Sequence, residues 1–291
     1  MIFFCKFHGF GNDYIVFEAD QLKNVSSLNE FSKQVCHRNT GIGGDGIAVL
    51  EKLYGNSGDY SCRIINPDGS EAGFSGNGTR CAVAYLYYRN LWQEESLKLE
   101  TKSGIKTYEL LERNEKTFWF LAELGKPKFD LPRTDLSEVF FDSANDFQQS
   151  KEFSILLPQE KIAVGFTFVD VGNPVAVVFL EDFNQIDWRH IGAQIECSTD
   201  IFPDRTNVVF VKVLDKENIE IRIWERGAGE TSSSGTCSIA AAVASASNGK
   251  TNRKVSVHAP GGTTEALWRA EDDEMLITGR ADLVFCGEWI E

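Results

Sequence analysis

A chain of 291 residues, 42% hydrophobic and 25% charged, carries the material for one large globular core or two of ordinary size. Its 43 acidic against 29 basic residues leave a net charge of -14, which repels phosphate backbones and argues against a nucleic-acid partner. No apolar run approaches the ~20 residues that a membrane-spanning helix needs, and the opening MIFFCKFHGF lacks the basic stretch of a signal peptide. Seven cysteines, an odd number in a chain too long to need a disulfide framework, predict reduced thiols and a cytoplasmic protein. No CxxC pair occurs and no two histidines stand at a metal-ligand spacing, so no metal site is expected.

In chain order, the glycine-rich stretch TGIGGDG (40–46) comes first. It lacks the spacing of a dinucleotide fingerprint and reads as a turn between two strands. Residues 60–65 (YSCRII) alternate as a strand. A glycine-rich loop follows, then a helix over 77–89 and strand-like runs at 97–101, 106–112 and 117–123. A segment with scattered charge, about 125–155, reads as a connection. Beyond it come a strand at 218–224, a helix over 236–247 so rich in alanine and serine that other structure must wrap it, and strands at 255–258 and 275–278.

The two series repeat one another. RIINPDGSEAGFSG from Arg63 and RIWERGAGETSSSG from Arg222 match without a gap at Arg63/Arg222, Ile64/Ile223, Glu71/Glu230, Ser75/Ser234 and Gly76/Gly235. Gly11–Asn12 corresponds to Gly172–Asn173, and Gly104 to Gly262. Several matches at nearly one offset indicate two homologous halves, each an α/β (α+β) domain. The halves are an N-terminal domain, 1–125, whose closing strands can be exchanged with the C-terminal end, and a C-terminal domain, 155–291, joined by 126–154.

The repeat also duplicates a loop that opens a helix. Ser75 and Ser234 stand where an N-cap residue belongs, at helix ends whose unpaired N–H groups attract a carboxylate. Serine is a good cap, so capping alone accounts for either one; the pair at one repeat position is what marks them as site residues. Glu225–Arg226, followed by flexible backbone, suits gripping a zwitterionic group, since arginine can fork onto a carboxylate.

FHGFGNDYIVFE (7–18), TGIGGDGIAVLE (40–51), RIINPDGSEAGFSGNGTRCA (63–82), FPDRTNVVFV (202–211), ERGAGETSSSGT (225–236) and TGRADLVFCGE (278–288) resemble, in order and spacing, the motifs of the diaminopimelate epimerase family. The resemblance spans essentially the whole chain. It implies two pseudo-symmetric domains, each a curved mixed β-sheet wrapped around a central helix, with a site in the cleft between them and no pyridoxal phosphate, metal or other cofactor. It implies a small amino-acid ligand and leaves a homodimer possible. The implied reaction is epimerisation of LL-2,6-diaminopimelate to the meso form, a step that serves lysine and peptidoglycan synthesis.

In that family two cysteines flank the substrate's α-carbon, one thiolate removing a proton and the other thiol delivering one. Their positions here are Ser75 and Ser234. A thiol near ~8.5, lowered by a helix N-terminus, is a usable base; a serine hydroxyl needs a neighbour to activate it. Val175 stands where the family usually has histidine after the Gly-Asn-Pro turn, and Gly46 where it often has glutamine. By the same resemblance Asn12, Asn66, Asn173, Asn207, Glu225 and Arg226 hold the distal amino-acid end of the substrate. Gly76, Asn77, Gly235 and Thr236 surround its reacting carboxylate. Two other readings are a non-catalytic amino-acid-binding relative and a different proton-transfer isomerase using Asp45, Asp68 or Glu230. Cys237, one turn into the second helix, and Cys81, six residues beyond Ser75, are the nearby thiols.

Overall fold

The computed structural model describes residues 1–55, 58–131, 139–141, 152–157 and 162–290. They fall into two compact units, 1–124 with 278–291, and 125–277.

The first unit contains β1 (Ile2–Gly9), β2 (Asn12–Glu18), α1 (Leu28–Cys36), β3 (Gly46–Lys52), β4 (Tyr60–Ile65), β5 (Glu71–Ala72), α2 (Gly76–Tyr88), β6 (Ser96–Thr101), β7 (Gly104–Arg113) and β8 (Thr117–Glu123). The second contains β9 (Val139–Phe141), β10 (Glu152–Leu157), β11 (Ile162–Asp170), β12 (Pro174–Phe179), α3 (Trp188–Glu196), β13 (Asn207–Val213), β14 (Asn218–Glu225), β15 (Gly229–Thr231), α4 (Gly235–Ser247), β16 (Lys254–Ala259) and β17 (Gly262–Trp268). The last strand, β18 (Met275–Trp289), pairs with β17 over Met275–Ile277 and with β1 over Asp282–Trp289.

In the first unit β18, β1, β2, β3, β4, β6, β7 and β8 pair in that order, and β8 returns to β18. Closure removes both sheet edges. The barrel encloses α2, whose residues from Gly76 to Tyr87 are all buried. A helix with apolar or small side chains on every face, such as CAVAYLYY, has no side for water and needs such a wrapper. β8 shows the matching alternation: Phe118, Phe120 and Ala122 turn inward while their neighbours are only half-buried. Each fully buried large side chain of this kind contributes about 1.5–3 kcal/mol.

The second unit repeats the plan. β10, β11, β12, β13, β14, β16, β17 and the start of β18 pair in sequence, with β12–β13 and β14–β16 parallel as β2–β3 and β4–β6 are in the first. α4 is buried along Gly235–Ser245 and packs on β11, β12, β13 and β17. The Gly11 and Gly172 turns share a left-handed backbone, φ 91° and 89°.

Two expectations are overturned. The stretch 40–46 joins α1 to β3, not two strands. α1 is capped by Ser27, whose side chain accepts the N–H of Glu30, and Gly41 then folds back on it, its N–H donating to His37 O at 2.8 Å. The cysteines are not all reduced thiols: Cys5 and Cys286, directly opposite on β1 and β18, form a disulfide across 281 residues of sequence. Cys36, Cys62, Cys81, Cys197 and Cys237 are free, only Cys197 being exposed. Within the 126–154 connection, β9 and the start of β10 are strands, Lys128 bridges to Asp170, and residues 132–138 and 142–151 lie outside the described residues.

Candidate active site

Each unit presents a serine at the mouth of its buried helix. Ser75 caps α2 from an extended backbone (φ -137°, ψ 118°), its Oγ accepting the Gly78 N–H at 3.1 Å. Ser234 caps α4 in nearly the same conformation (φ -146°, ψ 121°), its Oγ 3.5 Å from the Cys237 N–H. Gly76 and Asn77 open one helix, Gly235 and Thr236 the other. All four are buried at the positive end of a helix dipole, where negative charge is stabilised.

In the first unit a chain of side-chain bonds leads away from this mouth. Asn77 donates to Asn12 Oδ1 at 3.2 Å, and Asn12 donates to Asp45 Oδ2 at 2.8 Å. Arg80 in turn donates to Asn77 Oδ1 at 3.0 Å. Gly9 makes the approach of Asn77 feasible, because a Cβ there would stand 2.9 Å from Asn77 Oδ1. Asp45 and Asp13 brace the Asn12 turn, sharing Arg38, with Lys6 2.8 Å from Asp13. Burial raises the Asp13 carboxyl, but Arg38 and Lys6 overcome it, so its pKa ends below the usual carboxylate value. Burial holds Asp45 above that value. Asn66 is placed in the turn after β4 and bonds to Ser70 and Ser32.

In the second unit Arg226 is the hub. Its guanidinium reaches Asn173 Oδ1 at 3.3 Å and Asp204 O at 2.7 Å, and its N–H donates to Asn207 Oδ1 at 3.0 Å. Asn207 also donates to Pro174 O at 3.1 Å. Glu225 ends β14 opposite Gly229. A residue absent from the sequence reading underlies this loop: Glu196, buried at the end of α3. It accepts the Gly227 N–H and the Trp224 Nε1–H, each at 2.7 Å, and pairs with Arg205. A carboxylate on the apolar side of a helix, with Trp188 and Ile195, is the signal that could have found it.

Of the alternative proton carriers, Asp45 is engaged by Asn12 and Arg38. Asp68 is exposed, its pKa lowered by the hydroxyl and N–H of Ser70, and Glu230 is exposed and bidentate to Arg189. Cys81 and Cys237 are fully buried, and burial pushes both thiols far up, so neither is a standing thiolate. A second residue that sequence reading missed is Tyr14, whose hydroxyl lies 2.9 Å from Ser75 Oγ. Among the described residues no group of three or more His, Cys, Asp or Glu side chains is arranged to hold a metal.

Two repeated sheets, each wrapped around a buried helix, define a class of fold. A probable proline racemase from Agrobacterium radiobacter K84 shares it at a TM-score of 0.73 and 15% identity, over 100% of this chain and 93% of that one. A hydroxyproline epimerase from Agrobacterium vitis does so at 0.69 and 14%, over 98% and 91%. Sequence narrows the class. The diaminopimelate epimerase family pattern matches residues 4–129 and 167–284. The diaminopimelate epimerases of Pelotomaculum thermopropionicum (36% identical, 98% of each chain) and Methanocaldococcus jannaschii (37%, 97% of this chain and 96% of that one) are similar over nearly their full length. The chain belongs to the diaminopimelate epimerase family.

Proposed function

We propose that the protein is a cofactor-independent epimerase that inverts an amino-acid α-carbon, converting LL-2,6-diaminopimelate to the meso form. The observation that carries this reading is a bonded set in each unit, Asn77 and Asn12 beside the cap Ser75 in one, Asn173, Asn207 and Arg226 in the other. Asparagine amides and an arginine fork suit the charged ends of an amino acid. The helix N–H groups beside Ser75 and Ser234 suit a carboxylate that gains charge as the α-carbon loses its proton. The serines stand at the family's two acid–base positions.

The ligand on this reading is a small amino acid, and the acidic chain is unsuited to nucleic acid. Among the described residues no helix is long and apolar enough to cross a membrane. We place the enzyme in the cytoplasm, where its five free thiols persist.

Chiral separation of the products from LL-diaminopimelate tests the assignment. Wild-type protein is expected to form the meso isomer, and the double substitution Ser75→Cys with Ser234→Cys to form it at least about 10²-fold faster, since a thiolate is the better base. A folded double variant that neither binds nor converts diaminopimelate would overturn the substrate. Tight binding by wild type without conversion would mark it as a non-catalytic relative.

A further inference from the structure

Tyr14 stands in β2 with Phe7 beside it on β1 and Gly46 beside it on β3. Its ring fills space that two glycines leave open. A Cβ at Gly46 would lie 2.8 Å from Tyr14 Cε1, and one at Gly78 would lie 2.9 Å from the same atom. Both separations are well inside the ~3.5–4.0 Å at which carbons pack. With the ring in this slot, its hydroxyl meets Ser75 Oγ at 2.9 Å, and either group can donate. Gly46 and the Tyr14–Ser75 contact thus belong to one packing arrangement.

The repeat shows how particular this is. The positions equivalent to Tyr14 and Gly46 are Val175 and Asn207, paired on β12 and β13 in the same parallel register. Valine has no hydroxyl, and the asparagine side chain there is committed to Pro174 and Arg226.

We propose that Tyr14 is the positioning and proton-relay residue of Ser75, supplying through one hydrogen bond the base that a lone serine lacks. This rests on the reading of the chain as an α-carbon epimerase. The substrate's Cα–H bond breaks as an O–H bond forms on Ser75 Oγ, and the proton that Ser75 held passes to the Tyr14 phenolate. The carbanion, a far stronger base than an alkoxide, takes a proton on its other face from a hydroxyl or water. Tyr14 releases its proton to water, and no proton is gained or lost over the cycle. A free phenol titrates at ~10, and for buried Tyr14 the Ser75 hydroxyl at 2.9 Å is a donor to its phenolate.

Phe7 on β1, Gly46 on β3, the cap Ser75 and Gly78 of α2 lie beside the ring. The nearest charges along the chain, Asp13 and Asp45, are engaged by Arg38, and α2 carries Arg80, held on Asn77.

Two measurements test the relay. In the first, Tyr14→Phe is expected to lower kcat for diaminopimelate about 10²-fold while KM moves less than about threefold. The same substitution in a Ser75→Cys background should cost at least about tenfold less, because a thiolate needs no relay. Equal losses in the two backgrounds would show that the ring only packs, and overturn the proposal. The second needs no substrate. Tyrosinate absorbance of wild type minus Tyr14→Phe isolates the titration of Tyr14, and Ser75→Ala should move its midpoint to higher pH by removing a donor to the phenolate. An unmoved midpoint overturns the relay. A moved midpoint in a protein that leaves diaminopimelate unchanged supports the relay and removes the substrate.

Discussion

The two halves share a backbone plan, a capped helix and a serine, and differ in what stands behind that serine. Ser75 has a phenol at 2.9 Å, in a slot kept open by Gly46 and Gly78. Ser234 has Thr236 Oγ1 at 3.2 Å and the thiol of Cys237, which burial, helped by the charge of Glu225, keeps protonated. A protonated thiol can lend a hydrogen bond but not take a proton. The pseudo-symmetry of the sequence therefore conceals an asymmetry of surroundings, from which the relay proposal predicts that Ser75 acts as the base and Ser234 as the donor. The supports of the binding residues differ as well. Asn12 leans on Asp45, one of two carboxylates that share Arg38, whereas the Arg226 loop is held by the buried Glu196 together with Asn173, Asp204 and Asn207.

The largest expected effect breaks this comparison directly. Ser75→Ala should lower kcat about 10³-fold, and Ser234→Ala only about 10²-fold, because water can replace a proton donor more readily than an activated base. Each also loses a helix cap worth about 1 kcal/mol, so both effects are to be read on folded protein. Equal losses would show that the halves act alike. A smaller effect separates binding from chemistry: Arg226→Lys keeps the charge but loses the planar fork, and should raise KM about tenfold with little change in kcat. The smallest concerns acid. The Asp13 pKa is lowered in the folded protein, so its contribution is fully present above the unfolded carboxylate value, ~3.9, and is lost as pH falls through the folded value below it. Arg38 is more than half exposed while Lys6 is largely buried, so the contribution is on the order of 1 kcal/mol, and Asp13→Asn should flatten the acid limb of the stability curve.

Legibility in the sequence followed the range of the interactions. α2 and α4 could be read almost to the residue, because a serine cap, a glycine and an unbroken small or apolar run are local signals. α1 carried a comparable signal, Ser27 with Glu30 three residues on, which the glycine-rich stretch after it obscured. β18 showed only its first four residues, since Gly279, Arg280 and Asp282 interrupt the apolar alternation of a strand that runs 15 residues. The Cys5–Cys286 bond depends on register between strands at opposite ends of the chain, and no spacing rule reaches that far. The serine pair was visible because the repeat duplicates it. Tyr14 was not, because its meaning comes from two glycines on other elements, one beside it on β3 and one in α2.

The most direct test of the central claim, that a serine-headed site of this family still moves the α-proton, is isotope exchange. Incubated with LL-diaminopimelate in heavy water, the protein should place deuterium at the α-carbon and yield the meso isomer, as mass spectrometry with chiral separation would show. Bound substrate that keeps its α-hydrogen and its configuration through prolonged incubation would contradict it.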